Sequence, residues 1–385
     1  MKSNLLLTPK MFYFFWFTAL GVYAPFITLY YQERGLDLAQ IGLLLALPGI
    51  TQIVAGPLWG LLADALHIHR RLLPLVIIGT IIPVTLIGVM DSFWPILLLA
   101  ACSAVFSVPI AALSDTATLT LLGERREQYG AQRVWGAIGW GISSIISGVI
   151  VQQFGLGIMF WIFPLVGACA VLASLRLPGA ELVESHVLGT ARTLLQDARW
   201  VRFLFCTLLI GCAGSLMHGF LSIYLAQLGA GKGQIGLAYT IASISELPVM
   251  ALAPVVLRRW GARPLLVCAG LAYALRLTIY IIAPSPEWAL GAQLLHGLCF
   301  AAIWTAGVHE AQRLALPGLA ATAQSLFSTA LFGVAVVIAN SVGGVIYQNM
   351  GSTALFGSAA VLALVGAVGF MLPFEERKAV SVAVG

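Results

Sequence analysis

Five ionisable residues stand inside stretches that are otherwise long and apolar: Asp115, Arg133, Glu246, Arg276 and His296. A carboxylate accepts hydrogen bonds from hydroxyls, and a guanidinium donates in a fixed planar fork. An imidazole holds or passes a proton near neutral pH. A charge in a bilayer-spanning helix costs at least ~2.5–3.5 kcal/mol on insertion scales, so such residues mark a pathway, a relay or a ligand site. Trp140 follows Arg133 by seven residues, two helical turns, and so shares its face. Its ring is a platform for the C–H face of a cyclic solute. The alternative is a set of structural ion pairs and ordinary helix packing.

The elements that carry these residues are membrane spans. Only 9% of the 385 residues are charged, where a soluble chain carries about 25%. Hydrophobic residues make up 60%, and the mean hydropathy is +0.97. Apolar runs of helical length predict twelve spans, near residues 11–31, 38–63, 72–90, 93–119, 130–152, 155–175, 201–225, 233–257, 263–283, 286–312, 320–346 and 351–372. Barrel strands would alternate every second residue instead. The apolar run after Met1–Lys10 is too long for a signal peptide and reads as a retained first span.

Basic residues set the orientation. With the N-terminus inside, cytoplasmic segments hold sixteen of the 20 Lys and Arg residues, and the opposite side holds Arg34 and Lys232. The net charge of +5 reflects that placement and is not a nucleic-acid signal. The six cysteines all fall in spans, with no metal or redox spacing, so no disulfide, metal or other cofactor is expected.

The stretch YYQERGLDLAQIGL from Tyr30 to Leu43 recurs as YLAQLGAGKGQIGL from Tyr224 to Leu237. The copies precede spans 2 and 8, as in two parallel six-helix halves. This predicts bundles over residues 1–180 and 201–385, joined by a polar linker, 181–200. Thr190–Phe203 could form a short surface helix.

Depth arithmetic groups the charges. Asp115 and Arg133 each lie nine residues from Glu124, the tip of the hairpin between spans 4 and 5. At 1.5 Å per residue both are roughly 13–14 Å deep, which makes an ion pair plausible. Arg276 and His296 are each ten residues from Pro286, and Glu246 and Arg276 each fifteen from Gly261. The three therefore share one level near the midplane, where repeat-built carriers bind substrate. Movement of Arg276 toward or away from Glu246 could switch its protonation. His309 and Glu310 lie nearer the end of span 10, with a gate, an interface or a substrate role open to them. His218 in span 7 reads as a hydrogen bonder between packed helices. The glycines Gly136, Gly139 and Gly141 read as small-residue helix packing, not a nucleotide loop.

These residues resemble the major facilitator superfamily, and within it the lactose permease type of proton–sugar symporter. Phe14-Phe15-Trp16, leading to Gly21-Val-Tyr-Ala-Pro-Phe26, looks like that type's aromatic first helix, which carries Tyr23 over as a substrate residue. Gly56–Asp64 followed by Arg70 and Arg71 is similar to the superfamily's loop 2–3 motif, implying that Asp64, Arg70 and Arg71 gate. It departs at Ala65, His67 and His69. The pattern of an arginine, then Gly-x-x-Gly-Trp, with an acid eighteen residues before, matches Asp115, Arg133 and Trp140. The resemblance implies that the acid and arginine bind sugar hydroxyls while the tryptophan stacks on the pyranose. Glu246 looks like the span 8 glutamate that bridges sugar and proton sites, and Arg276 and His296 match the span 9 and span 10 pair. Cys299 stands in place of the usual proton-carrying glutamate, Gln293 in place of a lysine, and span 7 lacks the expected aspartates. Tyr129-Gly130…Trp135-Gly136 and Leu295-His296-Gly297 also look like the phenylpropionate permease branch.

The expectation is an all-α, twelve-helix transporter of the cytoplasmic membrane, a monomer with both termini inside. It takes up a small polar solute, a sugar, with protons, by alternating access among membrane lipids and without nucleic acid. Glu246, Arg276, His296 and Glu310 are its expected proton-coupling residues. A uniporter and a symporter for nucleosides or aromatic acids are the rivals. A drug antiporter is disfavoured because span 5 lacks the Gly-Pro signature, and a sensor because no soluble domain is appended. An enzyme is disfavoured by the absence of a nucleophile–base pattern.

Overall fold

The computed structural model of the chain describes residues 6–66, 69–179, 192–316 and 318–372, with the side chains at 56–58, 60–66, 69 and 70 outside that description. Every regular element among the described residues is helical. Ten helices are long and apolar enough to cross a membrane, and Arg71–Ile87 is a shorter apolar one. The last of the ten, Ala320–Met371, turns at Gly351, whose φ of 79° is a left-handed conformation that glycine adopts without strain. It therefore makes two passes, and the chain makes twelve. It is a multi-pass membrane protein. Exposed leucines, valines and isoleucines ring the outside, as a lipid solvent requires.

The spans run as follows. Span 1 is Leu7–Tyr23 and Ile27–Glu33, span 2 Leu38–Leu66, span 3 His69–Ile87, span 4 Phe93–Leu122, span 5 Tyr129–Phe154 and span 6 Met159–Ser174. Span 7 is Ala198–Gln227, span 8 Lys232–Trp260 and span 9 Arg263–Ile282. Span 10 is built from Pro286–Ala292, a 3₁₀ turn Gln293–Leu295, a π-helical turn Gly297–Ala301 and Ala302–Leu314. Span 11 joins Ala320–Ser328 through a second π-helical turn, Thr329–Val334, to the first part of Ala335–Met371, and span 12 is the remainder. Residues 180–191 of the linker lie outside the described residues. The expected surface helix Thr190–Phe203 is corrected over the rest: residues 192–194 are helical, the chain turns at 195–196, and Ala198–Phe203 is the start of span 7, with Trp200 and Phe203 buried in its packing.

The structure explains the repeat residue by residue. Gln40 and Gln234 cap the starts of spans 2 and 8, accepting from the backbone N–H of Asp37 at 3.1 Å and Gly231 at 3.0 Å. Ile41 and Ile235 are fully buried. Gly42 and Gly236 let the opposite set of spans approach. A Cβ added at Gly42 would lie 2.4 Å from the Asn340 carbonyl oxygen, and one at Gly236 only 2.1 Å from that of Ser144. Small residues permit such backbone contact between membrane helices.

Two seams result, span 2 on span 11 and span 5 on span 8. The described hydrogen bonds joining spans 1–6 to spans 7–12 are Ala39 to Gln348, Asn340 to Leu45, Ser222 to Pro25, Gly233 to Gln152, Thr240 to Gly141 and Ser243 to Ala137. All of them lie between mid-membrane and the end opposite the chain termini. Among the described residues, that end is where the two sets of spans are joined.

Candidate functional site

A cavity of about 530 Å³ sits where the seams stop. Spans 1, 2 and 5 supply Phe17, Pro48, Arg133 and Trp140, and spans 7 to 11 supply His218, Tyr239, Glu246, Arg276, His296 and Phe332. Depth arithmetic correctly brought Glu246, Arg276 and His296 together. Their order differs from expectation. Arg276 does not touch Glu246; His296 stands between them. Arg276 Nη1 is 2.8 Å from His296 Nδ1, and His296 Nε2 is 3.1 Å from Glu246 Oε1.

This geometry fixes the imidazole tautomer. A guanidinium only donates, so Nδ1 accepts and Nε2 carries the hydrogen that it donates to Glu246. The ring is therefore neutral while Arg276 is in place, and Glu246 accepts its remaining N–H. Arg276 is buried to 1% exposure, and its other donors meet uncharged acceptors. Nε donates to Tyr280 Oη at 2.9 Å, and Nη2 to Gln293 Oε1. Gln293 in turn donates to Tyr280 Oη at 2.9 Å. A lysine at 293 could not accept from Arg276. Gln293 and Cys299 thus depart together: a cation and an anion of the expected pattern are both gone, and the net charge of the cluster is unchanged. The Cys299 thiol is fully buried against Arg276.

Span 10 reaches Glu246 because Gly297 lets it. A Cβ at Gly297 would lie 2.0 Å from the Ser245 carbonyl oxygen, and the Gly297 N–H donates to Ser245 Oγ at 2.9 Å. The π-helical turn begins at that glycine. Such turns cluster at functional sites because they re-aim side chains.

The first-half expectation is corrected. No ion pair within 4.0 Å joins Asp115 and Arg133 among the described residues. The Tyr13 hydroxyl donates to Asp115 Oδ1 at 2.6 Å, and Asp115 does not line the cavity. Arg133 does line it, with its guanidinium 4.1 Å from the centre of the Phe17 ring and 5.4 Å from that of Tyr13. Equal depth was right, but span 1 enters between the two residues. Trp140 lines the cavity beside Tyr239, with ring centres 6.4 Å apart.

Tyr23 is also corrected, since it packs on Phe160 and Phe163 of span 6 and is not in the cavity wall. Glu310 is buried and held by Arg313 in a two-pronged pair at 2.6 and 2.8 Å, away from the cavity. Its i,i+3 spacing from Arg313 was a signal in the sequence. Of the expected gating residues, Arg71 is exposed, while the side chains of Asp64 and Arg70 lie outside the described residues. His218 faces the cavity and sits edge-on to Tyr239 at 5.6 Å, so it is not a packed hydrogen bonder. Tyr239 and Tyr280 were missed, and Gln293 was noted only as a departure from the family pattern, because uncharged polar residues in a span carry no depth-independent signal.

Residues 6–358 match the MFS_1 like family. The chain is 27% identical to the maltose permease of Geobacillus stearothermophilus over 369 residues, 94% of this chain and 93% of the relative. It is 24% identical to the probable 3-phenylpropionic acid transporter of Escherichia coli (strain K12) over 353 residues, 88% and 90% of the two chains. The crystal structure of the nucleoside transporter NupG superposes with a TM-score of 0.83 at 19% identity, covering 97% of this chain and 100% of that one. These relatives are transporters, not enzymes. The chain belongs to the MFS_1 like family and is a major facilitator superfamily transporter of the lactose permease type.

Proposed function

We propose that this transporter is a proton-coupled symporter that takes up a sugar through alternating access. The observation that carries the reading is the line Arg276–His296–Glu246 on one cavity wall, facing Arg133 and Trp140 on the other. A cyclic solute stacks on Trp140, its hydroxyls accepting from Arg133 and donating to Glu246. The proton enters on Glu246, where a protonated acid no longer attracts the imidazole N–H. Solute and proton thus compete for, or complete, one set of hydrogen bonds, which is the basis of coupling. The gradient of protons is the energy source and no cofactor takes part. The seams supply the alternating gate. With the termini cytoplasmic, as the basic residues indicate, the joined end in the state described here faces outward. The protein acts as a monomer in the cytoplasmic membrane.

One observation favours a second reading. Arg133 has no carboxylate within 4.0 Å among the described residues and faces an aromatic-walled cavity, an arrangement that suits an aromatic acid. Uptake into proteoliposomes over sugars, nucleosides and aromatic acids, with external pH recorded, separates the two. External alkalinisation on adding one sugar supports the first, and a response only to aromatic acids replaces it with the second.

A further inference from the structure

A second cavity lies outside the transport path, on the lipid-facing side of spans 9 and 10. It encloses about 640 Å³ between the stripe Arg263, Val267, Leu271 and Leu275 of span 9 and Leu295 and Leu298 of span 10. Residues four apart form one ridge along a helix, so the stripe runs as a trough inclined to the axis of span 9. Its depth comes from the break in span 10. Gly297 draws that helix against Ser245 of span 8, and span 9 is left with an uncovered face.

The trough has a polar end and an apolar length. Arg263 is exposed, and its Nε donates to the Phe370 carbonyl oxygen at 2.8 Å, which holds the guanidinium over the mouth. Its Nη groups have no carboxylate within 4.0 Å among the described residues. Arg258 and Arg259 are exposed in the same turn, and Arg259 lies 5.0 Å over the ring of the exposed Trp260. Tryptophan and arginine at a span end mark the headgroup level. From Arg263 to Leu275 is twelve residues, about 18 Å of helix at 1.5 Å per residue. Half of a ~30 Å hydrocarbon core is of that order. The trough therefore runs from headgroup level across one leaflet.

We propose that this trough is a binding site for an anionic phospholipid, with an acyl chain along Val267, Leu271 and Leu275 and the phosphate on Arg263. Arg263, the one basic residue in the trough's lining, selects the negative headgroup, and the turn from Arg258 to Arg263 holds no acid to oppose it. The length and apolar lining select a chain over a free anion.

Native mass spectrometry of the full-length protein in neutral detergent tests this, with added dioleoylphosphatidylglycerol or dioleoylphosphatidylcholine. The first phosphatidylglycerol should bind about fivefold more tightly than phosphatidylcholine, the factor that one basic residue at an anionic surface supplies. Arg263→Gln should abolish that preference, while Arg125→Gln, an exposed arginine in the turn between spans 4 and 5, should leave it. Leu271→Trp, which fills the trough without altering charge, should weaken retention of both lipids. Preference that survives Arg263→Gln, or is lost equally in Arg125→Gln, overturns the site. So does protection of the folded protein by glycerol 3-phosphate alone to the same extent as by the lipid.

Discussion

Substituting Gly297 by alanine tests whether the contact between spans 8 and 10 sets proton coupling. The added Cβ would stand 2.0 Å from the Ser245 carbonyl oxygen, where ordinary contact begins at 3.4 Å. The backbones must part by the difference, about 1.4 Å. The neighbouring His296 Nε2 to Glu246 Oε1 distance would grow from 3.1 Å to about 4.5 Å, which is no longer a hydrogen bond. A hydrogen bond to a charged group is worth about 1.5–3 kcal/mol, so the link between His296 and Glu246 should weaken by roughly 10- to 100-fold. The assay is solute-evoked pH change in proteoliposomes, alongside solute counterflow. Gly297→Ala should lose most of its proton movement per solute while counterflow persists. Gly291→Ala is the control, because nothing lies within 4 Å of a Cβ there. Equal coupling in Gly297→Ala and the parent protein would refute the reasoning.

Three further outcomes follow from the geometry. Gly42→Val and Gly236→Val place a side chain against backbone at 2.4 and 2.1 Å, so the joined end should stay open and net uptake should fall at least about tenfold with solute binding retained; unchanged uptake would contradict the seams. Arg133→Gln should raise the KM for solute about tenfold or more, whereas Asp115→Asn should change it little, because Asp115 answers to Tyr13 and not to the cavity. Outside the spans, Asp197 caps span 7 by accepting from the Arg199 N–H at 2.9 Å, and Asp197→Ala should cost about 0.5–2 kcal/mol near neutral pH. The Arg199 guanidinium beside it holds its carboxyl below the ordinary range. That stability is fully present above the unfolded pKa and fades as pH falls through the lower folded value, so parent and variant should melt alike in strong acid.

Depth along a helix was legible in the sequence, and rotation about it was not. Hydropathy located the spans, and residue counting put Glu246, Arg276 and His296 on one level. It could not say which way Asp115 pointed, because a hydroxyl from Tyr13, about a hundred residues away, decides that. Tyr23, carried over by resemblance to the family's first helix, faces span 6 and not the cavity. The repeat announced two copies of a motif but not its purpose; only the backbone approach at Gly42 and Gly236 explains why glycine sits at both. The π-helical turn at Gly297 left no pattern to find, since an extra residue in one helical turn does not disturb a uniformly apolar run. The second cavity beside span 9 was hidden for the same reason.

The central claim is that solute and proton meet through Glu246. Its most direct test is the pH change outside proteoliposomes when the transported solute is added, for the parent protein and Glu246→Gln. The parent should alkalinise the medium, and Glu246→Gln should exchange solute without any pH change. Alkalinisation by Glu246→Gln equal to that of the parent, or solute uptake by the parent with no pH change, would contradict the account.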